Sequence, residues 1–388
     1  MVRLIRQLSF YEEIPMISKT SQGQVRIGMV GVNRSASFIT AFAHNPHCKI
    51  TAFCDILQPK AEEAARDFDA YAFSDYEVML DSGCMDAVLI ATPMQYHAPQ
   101  AIAALQRSIH VLSEVTAAVS IEEAMDLVKA AKSSRAVYMM AENYTYMKPN
   151  VIIGNMVKAG LFGEVYYAEG EYLHELKQLN EITTWRRKWQ TGINGCTYPT
   201  HSLGPILQWL HPQRVVSVVC VGSGHHYIDP RGDNYEQEDS ILMLCRLSGG
   251  GLAKIRLDML SERPHAMTNY ALQGTLGAYE SARHEGGMNR VSFLDPNHKE
   301  SMRWVSLESY QDDFLPDFWK NASEEAIRAG HGGGDYFEVN DFIHAVLGEA
   351  ENPIDIHKAM DMTLPGLISQ ESIRMGSIWI DVPDSRQW

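Results

Sequence analysis

Residues Val25–Asp55 read VRIGMVGVNRSASFITAFAHNPHCKITAFCD. An apolar run with Val25, Ile27, Met29 and Val30 stops at Gly31, a helix-compatible segment follows from about Ser35, and a second run from Lys49 to Cys54 ends on Asp55. The pattern predicts strand, turn, helix, strand. Such a unit aims free backbone N–H groups and the positive end of a helix at a pyrophosphate, with a glycine letting the chain pass close to it. The fingerprint G-x-G-x-x-G/A is matched by Gly31-Val32-Asn33-Arg34-Ser35-Ala36, with Asn33 in place of the second glycine. Asparagine tolerates a left-handed backbone better than most residues, but its side chain takes up room beside the phosphates. Asp55 lies 24 residues beyond Gly31, where a carboxylate holds both ribose hydroxyls and repels a 2′-phosphate. The unit predicts NAD rather than NADP, bound by Gly31, Asn33, Arg34, Ser35, Ala36 and Asp55. A solvated aspartate closing a strand is the plainer alternative for Asp55.

Outward from this unit, helices and strands alternate. Pro59–Phe68 is patterned as an amphipathic helix, Ala87–Ala91 (AVLIA) as a doubly buried strand, Tyr96–Gln106 as a helix, Ile109–Leu112 as a strand, Ile121–Ser133 as a helix and Val137–Met140 as a strand. Thr92-Pro93 forms a turn expected to come close to the cofactor. Alternation of this length predicts a doubly wound parallel sheet. From Asn143 the style changes. Helix Asn150–Ala159 precedes Glu164–Leu176, which alternates like a strand with one exposed face, and further runs follow at Val215–Val221, Ser240–Leu247, Leu252–Met259, Tyr270–Leu276 and Val291–Leu294. Glu280–Asn289 reads as a polar loop, and helices return at Asp335–Leu347 and His357–Met375. The expected architecture is α/β: a Rossmann domain over 25–142, then an α+β substrate domain over 143–388 with a large, mostly antiparallel open sheet. Residues 1–24 are expected to be an N-terminal arm, with a contact between subunits as the alternative. A broad sheet with a free face suits a contact between subunits, so a homo-oligomer is expected through it.

The 388 residues carry 33 Lys plus Arg against 48 Asp plus Glu, a net charge of −15, which argues against nucleic acid and anionic membrane as partners. Cys48, Cys54, Cys84, Cys196, Cys220 and Cys245 form no C-x-x-C pair and read as reduced core thiols. No secretory core or membrane-spanning run is visible, so the cytoplasm is the expected compartment. No metal is expected: His225-His226 and Asp229 lack the i, i+4 spacing of a helical zinc site. There is no P-loop and no G-x-S-x-G elbow.

The chain resembles the Gfo/Idh/MocA family of sugar-acting oxidoreductases over Val25 to Pro383. The resemblance is carried by the dinucleotide unit with Asp55, Ile90-Ala91-Thr92-Pro93 running on to Leu105, Glu114, Gly160-Leu161-Phe162-Gly163-Glu164, and Tyr198-Pro199-Thr200-His201. Two departures stand out. The family commonly has Glu-Lys-Pro where this chain has Glu114-Val115-Thr116, and an Asp four residues before the active-site His where this chain has Thr197. Both departures are shared by a branch, the NAD-dependent glycosidases of glycoside hydrolase family 109. This chain is similar to that branch at Glu114-Val115-Thr116-Ala117-Ala118, Glu142-Asn143-Tyr144-Thr145-Tyr146, Tyr198-Pro199-Thr200-His201-Ser202-Leu203-Gly204-Pro205 and Gly330-His331-Gly332-Gly333-Gly334-Asp335. Thr116 replaces its proline and Ser202 its glycine.

The resemblance implies hydride transfer between NAD and a sugar carbon, C3, which needs a base for the hydroxyl proton. His201 is the expected base, since imidazole titrates near working pH; a structural histidine capping its helix is the alternative. Tyr144, Tyr146 and Tyr198 are candidates for a second proton-transfer group, although a tyrosine is a weak base without neighbouring positive charge. Thr92, Pro93, His97, Glu114 and Asn143 are expected at the cofactor, with a structural role also open for His97. His174, Trp185, Arg186 and His331 are expected at the sugar. Three functions remain open at this point. The first is a sugar oxidoreductase. The second is a redox-neutral glycosidase, in which C3 oxidation acidifies C2–H, the C1 substituent leaves, water adds and C3 is reduced again. The third is an NAD-binding regulatory protein without catalysis.

Overall fold

Strand β1 (Val25–Val30) is buried along its length except at Arg26, the signature of a strand covered on both faces. It leads through Gly31 into helix Val32–His44, whose Phe38 and Phe42 lie one turn apart and are 0 and 1% exposed. Burial of each contributes roughly 1.5–3 kcal/mol. The computed structural model describes residues 23–388 apart from 233, 265–266, 285 and 296–302. Most of the expected N-terminal arm, residues 1–22, lies outside the described residues.

Strands β2 (Cys48–Cys54), β3 (Tyr71–Phe73), β4 (Ala87–Ile90), β5 (His110–Glu114) and β6 (Tyr138–Ala141) complete a parallel sheet in the order β3-β2-β1-β4-β5-β6. The order reverses between β1 and β4. That opens a crevice at their carboxyl ends, the position where doubly wound sheets take ligands.

The second sheet contains β7 (Val165–Leu173), β8 (Val215–Gly222), β9 (Ser240–Leu247), β10 (Leu252–Asp258), β11 (Met267–Gly274), β12 (Gly277–Glu280), β13 (Arg290–Phe293), β14 (Val305–Ser306) and β15 (Ile380–Asp381). Its order is β14-β13-β12-β11-β7-β10-β9-β8-β15, antiparallel except for the β7–β10 pair. Helix Thr200–Trp209 lies against β7, β10 and β11, and helix Ile356–Arg374 against β8. On the opposite face Val219, Leu242 and Leu244 are half-buried and Val221 is exposed, next to the Lys254–Glu169 ion pair. The expected single strand Tyr270–Leu276 is longer at its start and turns at Thr275-Leu276 into β12, which takes the first residue of the expected polar loop.

The chain returns to the first sheet at its end. Met140 N–H donates to the Ile354 carbonyl at 3.1 Å, and Asn352 Nδ2 donates to the Tyr138 carbonyl at 2.7 Å. Segment 352–354 thereby covers the free edge of β6, and helix Ile356–Arg374 packs on β6 and on helix Ile121–Ser133. Among the described residues no helix is long and apolar enough to cross a membrane.

Candidate active site

Gly31 has φ +87°, and a Cβ there would sit 2.5 Å from the Ala91 carbonyl oxygen, so the β1 turn needs a glycine both for its backbone and for its closeness to β4. No side chain caps the helix that follows, leaving its first N–H groups turned toward the crevice. Asn33 is helical rather than left-handed. Its side chain is exposed and accepts from Lys60 Nζ at 3.3 Å, so it points away from the space the missing glycine would have kept clear. Ser35 is buried and its hydroxyl donates to the Val32 carbonyl, while Ala36 faces solvent. Asp55 ends β2 and accepts from Val32 N–H at 3.2 Å and Leu57 N–H at 3.0 Å.

Arg34 reaches across the crevice to an ion pair with Glu114 at the end of β5. Burial works against its charge, but Glu114, Asp335 and Tyr198 outweigh burial and hold the guanidinium above its ordinary range. His97 is 2% exposed, and its ring nitrogens lie 2.9 and 2.7 Å from the carbonyl oxygens of Thr116 and Thr92. It ties the β4 and β5 turns together, and burial lowers its pKa. Thr92 itself donates to Gln100 at 2.6 Å, and Pro93 opens the short turn of helix Met94–Tyr96. Asn143 Oδ1 is buried without a hydrogen-bond partner among the described residues. A glycine-built turn, an uncapped helix start, Asp55 and this unsatisfied amide oxygen fit a dinucleotide.

Beyond the crevice lie two imidazole–carboxylate pairs. His201, early in helix Thr200–Trp209, places Nδ1 2.8 Å from Glu142 Oε1, and both side chains are buried. His331 places Nδ1 2.8 Å from Asp335 Oδ1 and 3.0 Å from Asn143 Nδ2, and Asn143 Nδ2, 2.9 Å from that oxygen, donates to it. A carboxylate can only accept, so each pair puts the proton on Nδ1 and leaves Nε2 as the free acceptor. The Tyr144 ring stands between them, its centroid 4.1 Å from His201 and 5.5 Å from His331. The helix carrying His201 can sit this close because β7 has Gly170 beneath it, where a Cβ would come within 2.5 Å of the Ser202 carbonyl oxygen.

Two more tyrosines close the cluster. Tyr198 and Tyr172 have ring centroids 5.1 and 5.4 Å from His201, and the Tyr172 hydroxyl lies 2.8 Å from His174 Nδ1. Burial raises the hydroxyl pKa of Tyr144, Tyr198 and Tyr172; Arg34 offsets part of this at Tyr144 and Tyr172, and Arg186 at Tyr198 and Tyr172, and all three stay raised. Arg186 leans over the Trp185 ring at 4.4 Å and donates to Gln190 Oε1 at 3.0 Å. Trp185 and Arg186 lie on a short helix, Trp185–Trp189.

Tyr146 stands apart from the other expected tyrosines. Its hydroxyl faces Asp341, and burial followed by Asp341 and Glu338 raises it well above its ordinary value. The short helix Asn143–Tyr146 turns successive residues to different sides, which sends Tyr144 to the histidines and Tyr146 into the core. Sequence reasoning does not single out Glu142, Tyr172 or Asp335. Glu142 and Asp335 stand in the quoted segments next to Asn143 and after His331. Tyr172 could have been found from the period of two along β7, which puts it on the face of His174.

Residues 25–142 match the oxidoreductase-family NAD-binding Rossmann fold, and residues 146–387 match the glycosyl hydrolase 109 C-terminal domain. The chain is 30% identical to a glycosyl hydrolase family 109 protein of Saccharopolyspora erythraea, covering 93% of this chain and 83% of that one. It is 27% identical to an alpha-N-acetylgalactosaminidase of Shewanella oneidensis, covering 93% and 84%. Among solved structures it is similar to levoglucosan dehydrogenase in complex with NADH and levoglucosan, at 21% identity, TM-score 0.76 and 93% and 99% coverage. An NAD binding oxidoreductase from Klebsiella pneumoniae matches at 18% identity, TM-score 0.76 and the same coverage. At these identities the two structures speak for the fold alone.

Proposed function

We propose that this chain, which belongs to the glycosyl hydrolase 109 family, is an NAD-dependent enzyme that exchanges hydride at C3 of a sugar and uses the exchange to cleave a glycoside without net oxidation. The observation that carries the reading is the buried His201–Glu142 pair at the end of the dinucleotide crevice, where Val115 stands in place of a lysine. Bound NAD supplies reversible two-electron exchange at the sugar carbon. Gly31, the start of helix Val32–His44 and Arg34 hold its pyrophosphate, Asp55 its ribose, and Glu114 and Asn143 its nicotinamide half.

The chain's own part is proton handling. His201 Nε2 takes the C3 hydroxyl proton, and the Glu142 carboxylate steadies the imidazolium through Nδ1–H. With C3 a ketone, C2–H is acidic. Tyr172 is the second proton carrier: its hydroxyl lies 2.8 Å from His174 Nδ1, to which it hands its own proton as it takes the one from C2. Tyr144 and Tyr198 present hydroxyls that burial keeps protonated, suited to donate to sugar oxygens. Trp185 and Arg186 suit a ring face and polar substituents. An N-acetylgalactosaminide is the first substrate to test, on the strength of the Shewanella relative.

The NAD-binding part spans 25–142 and the substrate part 143–388. The outer face of the second sheet, with its mixed row of Val219, Leu242, Leu244 and the Lys254–Glu169 pair, supports a homo-oligomer built through it. Six free cysteines, five of them buried, suit a reducing cytoplasm. The deciding experiment releases and identifies the bound nucleotide, then incubates native protein with NAD+, free sugars and aryl glycosides while following aglycone and NADH together. Aglycone without net NADH is the expected result; NADH in proportion to oxidised sugar, with no aglycone, makes the enzyme a dehydrogenase.

A further inference from the structure

Glycoside cleavage of this kind uses proton transfers at three places: the C3 hydroxyl, C2, and the oxygen that leaves C1. His201 and Tyr172 account for the first two. We infer that His331, held by Asp335 and Asn143, is the acid and base at the glycosidic oxygen. The inference rests on the glycoside-cleaving reading above.

His331 and His201 share one arrangement, Nδ1 on a buried carboxylate and Nε2 free, on opposite sides of the Tyr144 ring. They differ in exposure: the His331 side chain is 24% exposed and the His201 side chain 8%. A ring hydroxyl that stays with the enzyme suits the buried imidazole. An aglycone that departs to solvent, and the water that replaces it, suit the open one. Of the other carboxylates of the cluster, Glu142 is committed to His201 and Glu114 to Arg34, and Glu338, without a hydrogen-bond partner among the described residues, is 0% exposed and so cut off from the solvent that aglycone and water need. His331 also holds φ +57°, a left-handed backbone that side-chain-bearing residues rarely adopt and that collects at functional positions. Its ring is fixed by Asp335 through a buried carboxylate that is 0% exposed.

The step balances without a further reagent. Tyr172 passes its hydroxyl proton to His174 Nδ1 as its oxygen takes the C2 proton, and the C2–H pair becomes the C1–C2 double bond of the unsaturated ketone. The C1–O bond breaks with its pair on oxygen, and that oxygen takes the Nε2 proton of His331, which enters the step as the imidazolium with its Nδ1–H on Asp335 and leaves it neutral. In the second half, neutral His331 takes a proton from water as the water oxygen bonds to C1, and the C1–C2 pair moves back to C2, where Tyr172 gives its proton and recovers one from His174. Leaving group and water exchange through one imidazole.

The test is the dependence of cleavage rate on leaving-group acidity. His331→Gln is compared with wild type on aryl glycosides of one accepted sugar, from dinitrophenyl to phenyl, with melting temperature and retained nucleotide as checks of the fold. The expected result is a loss on the order of 10² for phenyl, shrinking toward none for dinitrophenyl, whose oxygen departs without a proton. Asp335→Asn should show the same tilt more weakly. The same fractional loss on every leaving group, or no loss, overturns the assignment while leaving the glycosidase reading intact. Wild-type protein that oxidises sugar and frees no aglycone overturns both. If His331→Gln fails to hold nucleotide, the comparison is made with His331→Asn, and a flat profile there overturns the assignment.

Discussion

Replacing Glu142 with glutamine removes one charge from the His201 pair and almost nothing else. In the protein, Glu142 Oε1 accepts from His201 Nδ1 at 2.8 Å and from Tyr144 backbone N–H at 3.3 Å, while Oε2 has no hydrogen-bond partner among the described residues. Two donors thus converge on one oxygen. A glutamine keeps both bonds only with its carbonyl at the Oε1 position and its NH2 at the vacant one, so His201 retains the Nδ1–H tautomer and a free Nε2. What is lost is charge assistance to the imidazolium. Hydrogen bonds to charged groups are worth about 1.5–3 kcal/mol against 0.5–1.5 for neutral ones, a difference of about 1–2 kcal/mol. At 1.36 kcal/mol per decade, kcat should fall about five- to thirtyfold. Rapid-mixing measurement of aglycone release at saturating glycoside, normalised to bound nucleotide, gives the number. A fall beyond about a thousandfold would mean that the amide turns over and imposes the wrong tautomer; an unchanged rate would remove His201 from the rate-limiting proton transfer.

Three other substitutions or reagents probe the frame around the site. Gly31→Ala places a methyl 2.5 Å from the Ala91 carbonyl on a backbone at φ +87°, and should cost about 1–3 kcal/mol of stability together with retained nucleotide, read by melting and by release on denaturation. Glu338 is fully buried, and burial, then Asp335, Glu114 and Glu142, push its carboxyl well above 4.5. The folded protein therefore keeps a proton that the unfolded chain gives up, so its contribution is full below pH 4.5 and declines by about 1.4 kcal/mol per pH unit as pH rises toward the folded pKa. Glu338→Gln lacks this slope, and its melting temperature relative to wild type should climb between roughly pH 5 and 8; parallel curves would contradict it. Burial pushes the Cys48, Cys54 and Cys220 thiols up to about 12, so a thiol-disulfide dye should titrate half-exposed Cys84 first in the native protein and all six cysteines after denaturation.

Much of the first sheet is legible because its strands are short, apolar and separated by helices of the right length; Val25–Val30 and Ala87–Ile90 declare themselves. Tyr71–Phe73, three residues with none fully buried, carries too little pattern to be read alone. In the site, His201 is legible through the segment it stands in. Its partner Glu142 is 59 residues away in sequence, and only the packing of helix Thr200–Trp209 on the Asn143–Tyr146 turn joins them. Tyr146 is the opposite case. It shares Tyr144's segment and residue type, but the tight turn directs its ring to Asp341. Asn33 is a third case, since what the departure from glycine does depends on where the side chain goes, and Lys60 draws it outward.

The covering of the β6 edge by segment 352–354 has a consequence for the life of the nascent chain. A ribosome that has finished β6 still has about 200 residues to make before Ile354 and Asn352 can reach Met140 and Tyr138. At 5–20 residues per second that interval lasts roughly 10–40 s. Throughout it, the Rossmann sheet presents the unpaired outer edge of a wholly buried-type strand, Tyr138–Ala141, to its surroundings. Polysome crowding, with identical half-made edges held side by side, is then the moment of greatest aggregation risk. A chain cut after residue 142 would carry that exposed edge permanently, which makes the N-terminal part a poor candidate for transplantation as a free-standing module.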